Sequence, residues 1–167
     1  ESSPTPDETL DAFARAAAER IESAREIIVD DRVFDRELIH PDCPRDQLER
    51  WYCAPVQGVN IHANVIAFCP APTEGGVTAA IEPQADWIDI TDRAEVVSEG
   101  RNAIWIQRSP DNDDAYTLRG SIKSRSQAPI EISLHQPAVF AGNVIAERLR
   151  SAGVRFDAAD PTTRVRL

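Results

Sequence analysis

Between about residues 61 and 134 the chain breaks into short apolar runs, each closed by Pro, Gly, Asn, Asp or Ser. This interval constrains the fold more than any other stretch. "VNIHANVIAFCP" and "VTAAIEP" are separated by "PAPTEGG", whose Gly75-Gly76 pair marks a turn. "DWIDIT", "NAIWIQR" and "AYTLRGSI" follow, the last two divided by "SPDNDD", and "PIEISL" alternates cleanly. In "DWIDIT" the alternation sets Ile88 and Ile90 on one face, against Trp87, Asp89 and Thr91 on the other. Short runs joined by turns, with no helices between them, do not build the crossovers of a parallel α/β sheet.

Helical patterns bracket this interval. Thr5-Pro6-Asp7-Glu8 reads as an N-cap, a proline at the first helical position and a capping-box glutamate. Leu10, Phe13, Ala14, Ala17, Ala18 and Ile21 then share a face, which predicts a helix ending near Glu22 or Ser23. "REIIVDD" reads as a buried strand, "FDRELIHPDCP" as a loop and "RDQLERWY" as a short helix. Near the other end, Pro137 opens a helix whose apolar face runs through Ala141, Val144, Ile145, Leu149 and Ala152, with Gly153 as its C-terminal glycine. The tail "RFDAADPTTRVRL" is either a closing strand or a frayed end. The order predicts an α+β fold. An N-terminal helix and strand part, residues 1–60, packs on a mostly antiparallel β unit, residues 61–167, closed by the C-terminal helix.

Charge narrows the range of partners. The net charge is −10, and Lys123 is the sole lysine among the basic residues. No basic cluster stands out, which argues against nucleic acid and against anionic membrane surfaces. No apolar run reaches the roughly 20 residues that span a bilayer. The opening "ESSPTPDETL" is polar and acidic and does not read as a signal peptide.

The densest group of unusual residues is "ERWYCAPVQGVNIHAN", residues 49–64. Cys53 and His62 invite a thiol-enzyme reading, with Asn60 or Asn64 as the orienting third member. Against it, no helix N-terminus follows Cys53 to lower its pKa, so Cys53 reads as a structural thiol. Cys43, Cys53 and Cys69 are odd in number, so they cannot all pair within the chain. His40, Asp42 and Cys43 lie close in sequence but lack the paired spacing of a zinc site. "DNDD", residues 111–114, resembles the start of a calcium loop but lacks its glycine and distal glutamate, so it reads as a solvated hairpin turn. No cofactor motif is present. Serine chemistry fails by counting. The residue three before Lys123 is Gly120, so S-x-x-K is absent. No serine stands two before any asparagine, and Lys123 is followed by Ser124 and Arg125, so S-x-N and K-T-G are absent too.

At "IIVDDRVF" and "WYCAPVQGVNIHAN" the sequence resembles the class C low-molecular-mass penicillin-binding proteins, the serine-type D-alanyl-D-alanine carboxypeptidase/endopeptidases. That family carries a pattern like D-x-S-x-F, and later Y-x-A-P-x-S-A-L-x-x-x-x-N. Asp31, Val33 and Phe34 fall on the first part; Tyr52, Ala54, Pro55, Val59 and Asn64 fall on the second, with Gln57 for the usual Ser and Gly58 for Ala. "AYTLRGSI" and "QPAVFAGNVIAERLRSAGV" continue the likeness, with Gln136 for Asp and Phe140 for Tyr, so that it runs from about residue 8 to 155. The resemblance implies that the chain corresponds to the domains inserted in a transpeptidase-like domain, whose S-x-x-K precedes this region and whose S-x-N and K-T-G follow it. It implies no catalytic residue here, peptidoglycan as a partner through the parent protein, the missing transpeptidase-like domain as a second partner, and a periplasmic or extracytoplasmic location. A Cys53–Cys69 or Cys43–Cys53 disulfide is conceivable there. The motif residues Asp31, Phe34, Tyr52, Ala54, Pro55 and Asn64 are expected to be structural. Tyr52 and Pro55 should pack at the junction of the two parts, and Asn64 should satisfy backbone groups at a turn. The alternative is a catalytically dead relative serving as a cell-wall or protein-binding module.

Overall fold

The computed structural model describes residues 4–34, 37–157 and 162–166. Helix α1 spans Pro6–Ala18, and β1 and β2 are Ser23–Ala24 and Glu26–Asp30. Strands β3 to β8 are Val65–Thr73, Gly76–Glu82, Asp89–Val96, Ala103–Arg108, Ala115–Ile122 and Ile130–Ser133. Helix α2 is Pro137–Ser151, β9 is Arg155–Phe156 and β10 is Thr162–Arg166. The fold is α+β. Its contacts divide it into two compact units: Glu1–Val65 with Ser133–Leu167, and Ile66–Ile132.

In the first unit, α1 begins with a complete capping box. Thr5 Oγ1 accepts from Glu8 N–H at 3.2 Å, and Glu8 Oε2 accepts from Thr5 N–H at 2.8 Å. The helix ends earlier than its periodicity predicts. Arg20 and Ile21 N–H both turn back to Ala17 C=O, and the chain leaves for β1. Of the expected apolar face only Ala14 is buried, while Phe13 and Ile21 are exposed. Helix α2 ends in a full Schellman arrangement, with Val154 N–H on Leu149 C=O and Gly153 N–H on Arg150 C=O, both at 2.9 Å. Ala14, Leu149 and Val154 form a core cluster joined by Ala17, Ile27, Ile145 and Phe156. Arg148, almost buried, ties the helices together. Its Nη2 donates to Asp7 Oδ1 at 2.8 Å, and its Nε lies 3.1 Å from Asp11 Oδ1, an ion pair whose angle falls short of a hydrogen bond. Of the two readings of the tail, the strand forms: β10 pairs in parallel with β2 from Thr162↔Glu26 to Arg166↔Asp30. Part of the tail, residues 158–161, lies outside the described residues.

The second unit holds two three-stranded sheets, ordered β4-β3-β8 and β5-β7-β6. Two of its pairings are antiparallel, in keeping with the expected β unit, and the sheet β5-β7-β6 is mixed. β3–β4 and β6–β7 are antiparallel hairpins, but β5 and β7 pair in parallel from Asp89↔Ala115 to Val96↔Ile122. Strand β6, lying between β5 and β7 in sequence, carries the chain back so that this parallel pair forms without a helix. The core is Ile66, Phe68, Leu118 and Ile122, all with no exposed surface, with the Phe68 and Tyr116 rings 4.9 Å apart. Asp92 of β5 links the sheets by accepting Val77 N–H of β4 at 2.7 Å.

Candidate functional site

The segment 55–64, within the unusual sequence stretch, is fastened nearly residue by residue. Pro55 C=O accepts from Asn64 Nδ2 at 2.8 Å, and Val56 N–H donates to Leu38 C=O at 2.7 Å. Gln57, 7% exposed, accepts Ala138 N–H on its Oε1 at 2.9 Å, serving one of the unpaired amides in the first turn of α2. Gly58 and Val59 N–H donate to Asp31 Oδ1 at 2.7 and 3.3 Å. Asp31 is itself 6% exposed, and its N–H donates to Arg166 C=O at 2.9 Å. One carboxylate thus connects the two parts of the motif, and its burial is compensated by backbone donors.

Asn64 closes the segment. It is 1% exposed; its Oδ1 accepts Ile61 N–H at 3.3 Å, and its C=O accepts Leu134 N–H at 2.9 Å. His62, Ala63 and Asn64 all adopt left-handed backbone, with φ of 50°, 54° and 57°. Each such residue costs about 1–2 kcal/mol for an L side chain, less for asparagine. The strand expected from Val59 therefore starts only at Val65, after this left-handed turn.

The apolar motif residues behave differently. Tyr52 is 52% exposed, and its hydroxyl donates to Gln47 Oε1 at 2.5 Å, so it does not pack at a junction as expected. Phe34 is 55% exposed and stands one position short of the aromatic in the family pattern. Ala54 is half-buried, donating its N–H to Trp51 C=O at 3.2 Å, and Pro55 is buried.

The thiol-enzyme reading meets the opposite electrostatics. Cys53 is buried, and its thiol meets that of Cys43. That contact, reinforced by burial, pushes the Cys53 thiol up to about 11, away from the thiolate a nucleophile needs. Among the described residues no hydrogen bond joins Cys53 to His62 or to Asn60. His40, Asp42 and Cys43 form a tight turn: Asp42 N–H donates to His40 Nδ1 at 3.2 Å and Cys43 N–H to His40 C=O at 2.9 Å. Residues 111–114 lie in the turn joining β6 to β7, where Asn112 Oδ1 accepts Asp114 N–H at 3.0 Å. Burial raises the Asp114 carboxyl, and the neighbouring Trp87 indole works against that rise.

Sequence reasoning missed Gln57 and Gly58, which it took only as departures from a pattern. A Cβ on Gly58 would sit 3.1 Å from Val33 Cβ and 3.2 Å from Asp31 Oδ1, so the small residue keeps the loop on the carboxylate. Nothing local marks Gln57, whose partner lies 81 residues away.

This arrangement holds backbone in place through Asp31, Gln57 and Asn64. The model of the D-Ala-D-Ala carboxypeptidase 3 (S13) family matches residues 10–160. The chain belongs to that family. Among solved structures, it is similar to penicillin binding protein 4 of Haemophilus influenzae, with a TM-score of 0.61 and 16% identity over 96% of this chain and 36% of that one. A second structure of that protein, complexed with a beta-lactam, aligns with a TM-score of 0.49 and 14% identity over 99% of this chain and 35% of that one. At 16% identity the first of these likenesses shows a shared fold. The chain spans about a third of the length of the Haemophilus protein. No curated protein matches it.

Proposed function

We propose that the chain is the non-catalytic inserted region of a serine-type D-Ala-D-Ala carboxypeptidase/endopeptidase that acts on peptidoglycan stem peptides and cross-links outside the cytoplasm. In this reading the parent's transpeptidase-like domain carries the serine and lysine, and this region is its structural companion. The observation that carries the proposal is an inversion of burial within the family motifs. Asp31, Gln57 and Asn64 are buried, whereas Val33, Phe34, Trp51, Tyr52 and Val56 are at least half exposed. Six of the eleven large apolar side chains left exposed among the described residues fall between 33 and 56, counting Ile39. Exposed apolar side chains gathered along one stretch of chain, with the Trp51 and Tyr52 rings in contact, support a surface that a partner covers. The absence of S-x-x-K, S-x-N and K-T-G from the sequence supports the same division of labour.

The test is labelling with a fluorescent penicillin. The 167-residue chain is expected to form no covalent adduct and to release no D-alanine from a D-Ala-D-Ala peptide. A penicilloyl adduct on this chain would overturn the reading.

A further inference from the structure

In the second unit, the connection before β6 and the connection between β7 and β8 line an open cleft of about 450 Å³. It is lined by residues 100–102 and 123–128, which include the cations Arg101, Lys123 and Arg125 and no carboxylate. Among the described residues, none of these three makes an ion pair. This is unusual in a chain of net charge −10, where carboxylates are in excess. Three unpaired cations converging on one concavity raise the local potential and draw anions to it.

The cleft is built in advance. Asn102 Oδ1 accepts the N–H groups of Lys123 and Ser124 at 2.9 and 3.3 Å, and its Nδ2 donates to Ser124 C=O at 2.8 Å. Ser126 N–H donates to Pro70 C=O, and Val97 N–H to Ile122 C=O, each at 2.9 Å. The backbone bearing Lys123 and Arg125 is therefore fixed before any ligand arrives, which lowers the entropic cost of binding. The same bonds bear on which anion fits. Phosphate cradles use free backbone N–H groups, and here those of Lys123, Ser124 and Ser126 are already donated. The three side-chain charges are spread along a cleft within the size range of small-ligand sites. That suits separate single charges along a chain better than one compact phosphate.

We propose that this cleft binds a ligand bearing two or more carboxylates, with the chemistry of an acidic peptide. The guanidinium forks of Arg101 and Arg125 engage carboxylates, and Lys123 adds a third charge. Asn102 is a positioning residue. The assignment does not depend on what the parent protein catalyses.

The experiment titrates an N-acetylated triglutamate peptide into the chain at low ionic strength, followed by calorimetry and by backbone amide shifts. The expected result is saturable binding that added salt weakens, with shifts confined to residues 100–102 and 123–128. Arg101→Ala and Arg125→Ala should each weaken binding about tenfold, the worth of one charge-assisted contact. Arg93→Ala makes the same charge change on β5 outside the cleft and should leave affinity unchanged. Asn102→Ala should weaken binding while keeping the salt dependence, because it removes order and not charge. No saturable binding would overturn the proposal, as would equal weakening by Arg93→Ala. Binding of inorganic phosphate without binding of the peptide would overturn the assignment to carboxylates.

Discussion

Asn64 is the residue on which the motif segment closes, and its contribution has two separable parts. Its side chain serves Pro55 C=O and Ile61 N–H, and its backbone sits at φ 57° in the left-handed region. Replacement by alanine loses both the bonds and the local tolerance of that conformation, and should cost about 2–3 kcal/mol in a urea denaturation. Replacement by glycine loses the bonds but accepts the backbone, so Asn64→Gly should cost measurably less than Asn64→Ala. Equal losses would mean the backbone carries no strain there. Cys53 gives a second test. Its folded thiol titrates near 11 against an ordinary value of 9.0, so the folded chain holds a proton that the unfolded chain has lost. Stability from this group is present below pH 9.0 and is lost as pH rises toward 11, and Cys53→Ala should flatten that decline. Native Cys53 should also react with iodoacetamide at neutral pH far more slowly than the same thiol in denaturant; equal rates would refute its protection. The family resemblance grouped Tyr52, Pro55 and Asn64 but did not say which way they face. Asn64 finds its side-chain partners three and nine residues away and Tyr52 finds Gln47 five residues away, so the contacts are local, yet residue type alone does not say that they bury the amide and leave the aromatic ring outside.

At the level of elements, the local signals were the legible ones. The Thr5–Glu8 capping box and the Gly153 terminus are written in adjacent residues, and both form. The pairing of β10 with β2 joins residues more than 130 apart, and nothing in either strand's composition announces it. The parallel β5–β7 pair was hidden for the same reason, since alternation fixes a strand's faces and leaves its neighbour open. Gly120 in β7 shows a constraint that alternation does not reveal. It adopts φ of +94°, and a Cβ there would lie 2.1 Å from Ala103 C=O and 2.6 Å from the Trp105 ring. An alanine must therefore displace the β6 backbone, which a flexible side chain could not relieve. Gly120→Ala should destabilise the chain by about 3 kcal/mol or more in thermal or urea unfolding, through combined strain and lost pairing. Trp105→Ala alone should cost far less, because Trp105 is about half exposed. If Gly120→Ala were restored by Trp105→Ala, the ring and not the backbone would be the obstacle.

For the whole chain, connectivity is more informative than the order of elements. The sequence division at residue 60 grouped the last helix with the strands, because it follows them. In space α2 contributes Leu149 and Ile145 to the cluster around Ala14 of α1, so the first unit is assembled from both ends of the chain. The unit Ile66–Ile132 is then a continuous insertion. Its first and last strands, β3 and β8, are hydrogen-bonded neighbours, so its own ends lie side by side. Within the first unit the residues flanking the insertion are also held together, since Leu134 N–H donates to Asn64 C=O at 2.9 Å. Chain ends that lie together are the geometry in which an insertion can be added or removed without remaking the host. Deleting Ile66–Ile132 and joining Val65 to Ser133 through two glycines leaves a four-residue loop between hydrogen-bonded residues, within the usual range for such turns. The shortened chain should unfold in one cooperative transition and keep slow amide exchange in α2, whose buried residues lie in the retained unit. A non-cooperative transition, or α2 amides exchanging at the rate of an unfolded chain, would show that the first unit is not a folding unit by itself.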